Sequence, residues 1–441
     1  MNLVAIVGRP NVGKSTLFNR IIEQKEAIVA DKPGVTRDRI YGEADWNGKN
    51  FFLIDTGGFI PGSEDKIERA IREQANIAIE EADVVIFLVD GKEGITPFDR
   101  DIATILRHSK THIVLVVNKC DNANLDLNSY EFHELGLGEP YPVSALGGRN
   151  TGDFLDDVTA HLKDEGNDEE DERIKIAVVG RPNVGKSSIC NTLLGQDRMI
   201  VTDIAGTTRD SIDSVMKYYG EEFVLIDTAG LRRRSNIKEN VEFYSTLRSM
   251  RAIERCDVAV VVLDAALGLE DQDKKIINKV AEKRKGIIIA VNKWDLIEKD
   301  TNTSSEFTRK IREDMKTFSY VPIVYMSALT KQRITRIPEI VKKIQENRKK
   351  RISTAKLNRE LLAILQKTPP PSVQGRDLRI NYITQVNTEP PVFAFFCNHP
   401  NYIPESYKRF VENSLRKLYD LSGVPVSFIF RKKNVDRFED E

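Results

Sequence analysis

The sequence has few cysteines, and they form no pattern. The four, with no CxxC pair among them, are Cys120, Cys190, Cys256 and Cys397. Scattered thiols argue against a disulfide framework or a zinc site and favour reduced cysteines in a cytosol. The five histidines are as uninformative. His108 and His112 lie four positions apart but span the end of a predicted helix, so we do not expect these two residues to bind a metal as a pair.

Long apolar runs and an excess of charge are also missing. The strongest apolar run, 258–263, has the length of a strand, far below the ~18 residues that span a bilayer. Residues 1–7 have no basic region, so we expect no signal peptide. Lysine plus arginine (66) nearly equals aspartate plus glutamate (67), so net charge indicates no partner. We expect a cytoplasmic globular protein of about three domains, at ~150 residues each.

An internal repeat decides the organisation. Residues 4–15 read VAIVGRPNVGKS, and residues 176–187 read IAVVGRPNVGKS. Four further pairs follow in the same order: GVTRD (34–38) with GTTRD (206–210), DTGG (55–58) with DTAG (227–230), NKCD (118–121) with NKWD (292–295), and SAL (144–146) with SAL (327–329). Five ordered matches indicate two homologous domains. The offset grows from 172 to 183, which indicates insertions in loops of the second copy.

Each copy alternates strand-like and helical segments. In the first copy, the predicted strands are 3–7, 51–54, 84–89, 113–117 and 140–143, and the predicted helices are 14–23, 67–80, 98–108 and 151–162. Alternation of this kind with continuously apolar strands predicts an α/β fold, with a mainly parallel sheet covered by helices on both faces. Ligands then bind at the carboxyl ends of the strands, where all five motifs fall.

The predicted domain boundaries follow the repeat and the charge pattern. They place the first nucleotide domain at 1–163, an acidic linker at 164–173, the second nucleotide domain at 174–346 and a third domain at 347–441. Residues 163–173 hold seven acidic side chains and almost nothing apolar, which is typical of a solvated tether. An electrostatic role for this stretch remains an alternative.

The third domain is predicted to be KH-like and basic. Residues 346–441 contain 17 basic and 11 acidic side chains. The predicted elements are helix 347–367, strands 378–386 and 392–397, helix 404–420 and strand 425–431. Five phenylalanines in these strands are expected in the core: Phe393, Phe395, Phe396, Phe428 and Phe430. The order resembles a KH fold, but Gly375 and Gly423 are the only glycines beyond residue 352, so no GxxG loop can clamp nucleic acid. We therefore expect the basic surface to contact phosphates or protein.

The GRPNVGKS segments follow a strand and open a helix, as a P-loop requires. Glycines let backbone N–H groups surround the β-phosphate, and the helix N-terminus adds a favourable dipole. Lys14 and Lys186 are predicted to pair with the β- and γ-phosphates. The predicted loop residues are Gly8, Arg9, Pro10, Asn11, Val12, Gly13, Lys14, Ser15 and Thr16, with Gly180, Arg181, Pro182, Asn183, Val184, Gly185, Lys186, Ser187 and Ser188 in the second copy.

Hydroxyls and carboxylates around these loops predict two Mg²⁺ sites. The predicted ligands are Ser15, Thr36 and Asp55 in the first copy, and Ser187, Thr208 and Asp227 in the second. Thr36 and Thr208 are also predicted to sense the γ-phosphate, although a threonine in an ordinary turn is an alternative. The DxxG segments complete this order–disorder switch; their remaining residues are Thr56, Gly57, Gly58, Thr228, Ala229 and Gly230.

The NKxD segments select the base. Asp121 and Asp295 can each accept two hydrogen bonds from guanine, from N1–H and from the 2-amino group, and adenine offers neither donor. We therefore predict GTP rather than ATP as the substrate. Lys119 and Lys293 are expected to cover the base, and Asn118 and Asn292 to tie this loop to the P-loop. The SAL residues complete the site: Ser144, Ala145, Leu146, Ser327, Ala328 and Leu329, with the alanine N–H groups directed to guanine O6.

The usual water-orienting glutamine after DxxG is replaced by Phe59 and Leu231. Hydrolysis must therefore take help from another residue, a partner or an ion. A monovalent cation at Asn11 and Asn183 would neutralise developing charge; an asparagine that caps its own loop fits as well. Residues 232–234 are three arginines, which could contact RNA or a neighbouring domain, or could simply be solvated.

Two Era-like GTPase domains in tandem, with GRPNVGKS in both and a KH-like tail, resemble the bacterial Der (EngA) family over essentially the whole chain. The resemblance implies a cytoplasmic assembly factor that cycles with GTP on the large ribosomal subunit or its precursor, with ribosomal RNA as a partner. It also implies potassium-promoted hydrolysis, with Asn11 and Asn183 as cation ligands. We expect no membrane partner, since lipid-anchor motifs and amphipathic surface helices are missing. We also expect a monomer. A switch controlling a protein partner or a membrane process is the alternative.

Overall fold

The computed structural model describes residues 2–26, 41–55, 76, 78–79, 82–162, 173–195, 201–203, 213–227, 241–298, 300 and 302–432. The chain separates into two compact units, Met1–Asp171 and Glu172–Glu441. Each unit is built around its own sheet and core. Among the described residues, no helix is both long and apolar enough to cross a membrane.

The first unit is a six-stranded sheet with helices on both faces. Its strands are β1 Asn2–Val7, β2 Tyr41–Trp46, β3 Lys49–Asp55, β4 Val84–Asp90, β5 His112–Asn118 and β6 Tyr141–Pro142. Its helices include α1 Lys14–Glu26, α2 Pro97–Arg107, α3 Ala123–Asp126 and α4 Thr151–Ala160, with a 3₁₀ helix at Leu127–Leu135. The strand order is β2-β3-β1-β4-β5-β6, and every pair is parallel except β2 with β3.

The predicted strands and the predicted helices 14–23, 98–108 and 151–162 of the first copy are confirmed within a few residues. The predicted helix 67–80 lies largely outside the described residues. The strand β2 was not predicted. Its sequence, YGEADW, mixes polar and apolar residues, because it lies at the sheet edge and pairs only with β3. Edge strands lack the continuous apolar signal that the central strands provide.

Alternation along the strands builds two cores, one on each face of the sheet. Val84, Ile86 and Leu88 of β4 belong to one cluster, and Val85 and Phe87 belong to the other. All seven residues of β4 are buried. Successive side chains of a strand point to opposite faces, so a strand covered on both sides needs apolar residues at every position.

The second unit repeats this architecture and extends it. Its first sheet contains β7 Ile174–Val179, β8 Val201–Asp203, β9 Ser214–Tyr218, β10 Glu221–Leu225, β11 Val258–Asp264, β12 Gly286–Asn292 and β13 Ile323–Tyr325, in the order β13-β12-β11-β7-β10-β9-β8. Its helices include α5 Lys186–Leu194, α6 Val241–Arg255, α7 Asp271–Glu282, α8 Thr303–Asp314 and α9 Arg336–Lys349, with 3₁₀ helices at Trp294–Leu296 and Lys316–Phe318. Pairing is parallel except for β10 with β9 and β9 with β8.

The C-terminal domain has the predicted α-β-β-α-β order. Its elements are α10 Thr354–Lys367, β14 Ile380–Asn387, β15 Val392–Cys397, a 3₁₀ helix at Pro400–Tyr402, α11 Glu405–Leu418 and β16 Ser427–Arg431. β15 pairs antiparallel with β14 and parallel with β16. Phe393 and Phe395 are fully buried, and Phe428 and Phe430 pack against the same core.

The predicted continuous helix 347–367 is wrong. The helix α9 ends at Lys349, and α10 begins at Thr354. Between them Ser353 adopts an extended conformation, and its side chain accepts a hydrogen bond from the N–H of Lys356. Serine is a favoured N-cap because its oxygen pairs with an otherwise unpaired N–H of the first turn. The basic run is therefore divided between the end of one helix and the turn that follows.

The C-terminal domain packs directly against the second nucleotide domain. Val424 belongs to the core cluster of the second sheet. Two backbone hydrogen bonds join them: Ile287 N–H donates to Gly423 O (2.8 Å), and Gly423 N–H donates to Tyr320 O (2.9 Å). The Arg416 guanidinium lies 3.7 Å from the centre of the Tyr320 ring. A shared core and shared main-chain bonds make these two domains one structural unit.

Candidate nucleotide sites

Each P-loop lysine is buried at the centre of its loop. The Lys14 ammonium donates to the carbonyls of Gly8 (2.9 Å) and Arg9 (2.8 Å). Lys186 makes the same pair of contacts with Gly180 and Arg181, both at 2.6 Å. Burial is the main cause that lowers the pKa of Lys14 to about 8. Backbone carbonyls therefore hold each lysine within its P-loop, at the N-terminus of a helix, where a cation and the helix dipole both favour phosphate.

Glycine is required at the turn before each lysine. Gly13 and Gly185 have φ values of +101° and +98°, in a region that residues with a Cβ avoid. A Cβ on Gly13 would lie 2.3 Å from Asn118 Nδ2, and one on Gly185 would lie 2.2 Å from Asn292 Nδ2. Both backbone conformation and space explain why the motif has glycine here.

An asparagine joins three loops in each copy. Asn118 ends β5, and its Nδ2 donates to Val12 O (2.7 Å) while its Oδ1 accepts from Ala145 N–H (2.9 Å). Asn292 makes the equivalent bonds with Val184 O and Ala328 N–H, both at 2.9 Å. This asparagine clasp holds the phosphate loop and the base loops at the same edge of the sheet. The alanine N–H groups, predicted to face guanine O6, already donate to the clasp.

Two of the three predicted magnesium ligands of the first copy, Ser15 and Asp55, meet in the structure. Ser15 Oγ donates to Asp55 Oδ2, although the two residues lie 40 positions apart. Ser15 opens α1 and Asp55 ends β3, so both are carried by regular elements. A hydroxyl and a carboxylate oxygen are the hard donors that Mg²⁺ prefers. In the second copy, Asp227 has a left-handed backbone (φ +59°), and its N–H donates to Asp213 (3.0 Å).

Asp121, the predicted base-selecting aspartate of the first copy, is held by two neighbours. Lys92 Nζ donates to Asp121 Oδ2 (2.6 Å), and Ser144 Oγ donates to Asp121 Oδ1 (2.8 Å). These hydrogen bonds keep the pKa of the Asp121 carboxyl below its ordinary value. Lys119 has φ +68°, and its ammonium contacts Asp90 at 2.5 Å, which fixes the lysine stem beside the base position.

The second base site differs in its neighbours. Lys293 has φ +61° and contacts Asp264 at 2.6 Å, as in the first copy. Where the first copy has Lys92, the second has Ala266. Among the described residues, Asp295 Oδ1 accepts no hydrogen bond. The two carboxylates thus have the same place in the fold but different charge environments.

The P-loop arginines point toward acidic groups. Arg181 Nε lies 3.0 Å from both carboxylate oxygens of Asp273, and its Nη1 contacts Glu270. Arg9 lies 2.8 Å from Glu93 and 3.4 Å from Asp99. Asp99 and Asp273 also cap the helices α2 and α7. Each arginine side chain anchors its P-loop to a helix N-terminus.

Other predicted site residues are placed as follows. Val12 and Val184 are buried, Pro10 and Pro182 are half-buried, and Asn11, Thr16, Asn183 and Ser188 are exposed. Leu146 and Leu329 are also exposed beside the base loops. Asn11 and Asn183 have left-handed backbones, with φ +66° and +64°. Outside the described residues lie Thr36, Thr56, Gly57, Gly58, Phe59, Thr208, Thr228, Ala229, Gly230, Leu231 and residues 232–234.

Sequence reasoning missed the supporting residues of these sites. Asp90 and Asp264 end β4 and β11 and hold the base-covering lysines. Arg20 of α1 donates to the carbonyls of Ala145 (3.2 Å) and Leu146 (2.5 Å). The strand-ending aspartates repeat at the same offset as NKxD, which is a signal that could have revealed them.

Two phosphate loops, each clasped to an NKxD loop at the carboxyl edge of a mainly parallel sheet, define a P-loop GTPase with two sites. Comparison with known families agrees. The model for "50S ribosome-binding GTPase" matches residues 3–119 and 175–293. The model for the "KH-domain-like of EngA bacterial GTPase enzymes, C-terminal" matches residues 351–431.

Proteins of similar sequence identify the family within this class of GTPases. GTPase Der of Amoebophilus asiaticus is 52% identical over 98% of this chain and 100% of its own length. GTPase Der of Cytophaga hutchinsonii is 52% identical, and that of Bacteroides fragilis 48%, with the same coverage. The chain belongs to the GTPase Der family. A structure of Era with MgGDPNP and nucleotides 1506–1542 of 16S ribosomal RNA aligns with TM-score 0.30 and 22% identity, covering 58% of this chain and 91% of that one.

The family assignment establishes the activity and the domain composition. The chain is a GTP-hydrolysing enzyme with two P-loop GTPase domains and a C-terminal KH-like domain. GTPases of this class use Mg²⁺.

Proposed function

We propose that GTP binding and hydrolysis at the two sites switch this protein on and off the large ribosomal subunit or its precursor, as an assembly factor. The observation that carries the proposal is the paired asparagine clasp, which in both copies joins the P-loop to the NKxD and SAL loops. Ribosome binding is supported by the description of the matching family as ribosome-binding. The basic C-terminal domain, joined to the second GTPase domain, supplies a surface suited to RNA phosphates.

Each site residue has a proposed role. Lys14 and Lys186 neutralise the β- and γ-phosphates, and Asp121 and Asp295 select guanine. Ser15 and Asp55 would hold Mg²⁺ in the first copy, and their contact through oxygen atoms fits that ion. Ser187 and Asp227 are assigned the same task in the second copy. Thr36 and Thr208 are proposed as the switch threonines. When bound, the Mg²⁺ supplies charge neutralisation at the phosphates.

Potassium is proposed to assist hydrolysis at Asn11 and Asn183. Both carboxamides are exposed in the loop beside the lysine, and Phe59 and Leu231 stand where a water-orienting glutamine would be. Turnover should be several-fold faster in potassium than in sodium at equal ionic strength. Asn11→Ala and Asn183→Ala should each remove part of this difference. Equal rates in the two salts would remove the potassium proposal and leave the GTPase assignment intact.

Ribosome association is tested by co-sedimentation. Purified large subunits and their precursors are centrifuged with the full chain and GTP, GDP or a non-hydrolysable GTP analogue. We expect more protein in the pellet with the GTP analogue than with GDP, and loss of this difference in Lys14→Ala and Lys186→Ala. No dependence on nucleotide in any fraction would contradict the proposal. Capture of a protein complex without RNA would instead favour the alternative, a switch for a protein partner.

Base selection is tested by exchanging the carboxylate for an amide. Asn at position 121 or 295 would donate to the 2-oxo group of xanthine, whereas guanine presents donors there. Asp121→Asn and Asp295→Asn should each lower GTP affinity at their own site by at least about 100-fold and raise affinity for XTP. Because the two substitutions are equivalent, each serves as the control for the other. Unchanged GTP affinity would refute the role of that aspartate.

A further inference from the structure

Two histidines and an aspartate converge at the end of the first sheet that lies away from the nucleotide site. His112 is the first residue of β5, Asp157 lies in α4, and His161 is the C-cap residue of the same helix. Asp157 Oδ1 lies 3.2 Å from His112 Nε2 and 3.1 Å from His161 Nδ1. Their side chains are 33%, 23% and 46% exposed, so solvent reaches the cluster.

The donor set is that of a transition-metal site. One ligand atom from each of the three residues lies within 4.8 Å of the other two. Zinc binds imidazole nitrogen at about 2.0–2.1 Å and carboxylate oxygen at about 2.0–2.2 Å, so neighbouring ligands of a tetrahedral ion lie about 3.3 Å apart. The distances from Asp157 Oδ1 to His112 Nε2 (3.2 Å) and to His161 Nδ1 (3.1 Å) are close to that value. We propose that His112, Asp157 and His161 form a binding site for one divalent transition-metal ion of the zinc class.

The second copy shows that the fold itself does not require these groups. The pair Val84–His112 between β4 and β5 corresponds to the pair Val258–Gly286 between β11 and β12. The offset of 183 that relates the two SAL segments takes Asp157 and His161 to Ile340 and Ile344. The same backbone positions therefore hold glycine and isoleucine in one copy and three metal-binding residue types in the other.

The environment of the equivalent positions also differs. In the second copy Ile344 is covered by the C-terminal domain, where a Cβ on Gly423 would lie 2.4 Å from Ile344 Cδ1. In the first unit the corresponding face presents three half-exposed polar side chains. Packing against an apolar cover thus explains the isoleucine at position 344, but it does not explain the histidine at position 161. A role as a metal ligand does explain that histidine.

Further contacts prepare the cluster for a metal. Tyr141 Oη donates to Asp157 Oδ2 (3.1 Å), which leaves Oδ1 to face both imidazoles. Burial and the neighbouring His161 lower the pKa of His112 below its ordinary value. The rings of His112 and His161 lie face to face, with centroids 3.4 Å apart. Coordination requires the rings to tilt so that both nitrogens aim at one ion.

The proton balance follows from the contacts. His161 Nδ1 also lies 2.9 Å from the backbone carbonyl of Asp157, which can only accept, so Nδ1 carries a proton without metal. When the neutral ring binds the ion through Nδ1, this proton leaves Nδ1 for solvent and Nε2 takes up a proton from solvent, so the ring stays neutral and no net proton is released. The site is distinct from the nucleotide site, because the six residue steps from His112 to Asn118 along β5 span about 20 Å.

The test uses the full chain without nucleotide. Zn²⁺ is titrated calorimetrically, and Co²⁺ serves as a spectroscopic probe of nitrogen and oxygen ligation. We expect one Zn²⁺ per chain, lost in His161→Ala and in the triple variant His112→Gly, Asp157→Ile, His161→Ile, which carries the residues of the second copy. The matched control, His108→Ala, replaces an exposed histidine at the C-terminus of α2 and should retain the ion.

Tyr141→Phe tests positioning, since loss of the hydrogen bond that orients the Asp157 carboxylate should lower Zn²⁺ affinity by about tenfold without abolishing binding. Circular dichroism and GTP binding confirm that each variant folds. If the triple variant does not fold, His161→Ala alone tests the metal site. We expect this single variant to fold, because the His161 side chain lies at a half-exposed helix end. No bound Zn²⁺, or Zn²⁺ bound equally by His161→Ala and the unchanged chain, would overturn the proposal.

Discussion

The asparagine clasp is the contact on which each nucleotide site depends most. Replacement of Asn118 by alanine removes both hydrogen bonds of its carboxamide and leaves the carbonyl of Val12 and the N–H of Ala145 without partners in a buried region. A buried polar group without a partner costs about 1–3 kcal/mol. Water that enters the space of the lost carboxamide offsets part of this cost. We expect the first P-loop to be destabilised locally by about 2–4 kcal/mol.

Hydrogen–deuterium exchange of the full chain measures this local effect. Because every 1.4 kcal/mol corresponds to a factor of ten, amides of residues 12–17 should exchange about 30-fold to several hundred-fold faster in Asn118→Ala. GTP affinity of the first site should fall as well, because the destabilised loop is the P-loop. The equivalent loop at 184–189 should be unaffected in this variant and should respond instead to Asn292→Ala.

The control for the clasp is Asn128→Ala, which removes a carboxamide bonded to the carbonyl of Gly91 at 3.2 Å and leaves both hydrogen bonds of the Asn118 carboxamide in place. It should leave exchange at residues 12–17 unchanged. Protection of that loop within threefold of the unchanged chain in Asn118→Ala would refute the reasoning, since the P-loop would then be held by other contacts.

Two further predictions concern a titration and a domain contact. Because the pKa of Lys14 is lowered to about 8, GTP binding at the first site must take up a proton above that pH. GTP affinity measured by titration should be constant below pH 8 and fall about tenfold per pH unit above it. The variant Lys14→Arg should bind GTP more weakly but show no such fall. Parallel pH profiles for the two proteins would contradict this prediction. Gly423→Ala should lower the Tm of the second unit more than Gly375→Ala, because both have φ near +70° but only the first would place a Cβ against Ile344. Equal shifts in Tm would show that this packing contributes nothing.

Contiguous motifs were sufficient to predict the fold class and most of the chemistry. A P-loop is a strand, a glycine turn and a helix start within a dozen residues, so Gly8 to Ser15 is recognisable without any distant contact. Continuous apolar strands such as β4 predicted a sheet covered on both faces, and the observed cores agree. The missed edge strand β2 and the wrongly continuous helix 347–367 depend instead on a single pairing and on one serine cap.

The sequence by itself therefore determined the repeat, the parallel sheets, the guanine preference and the C-terminal α-β-β-α-β order, because each is encoded by neighbouring residues or by a short period. Only the tertiary structure decided which residues meet. It joined Asn118 to Val12 across 106 positions and brought His112 to Asp157 across 45. It also packed the C-terminal domain against the core of the second nucleotide domain. Such contacts follow from how helices and strands pack, and no local pattern of residues records them.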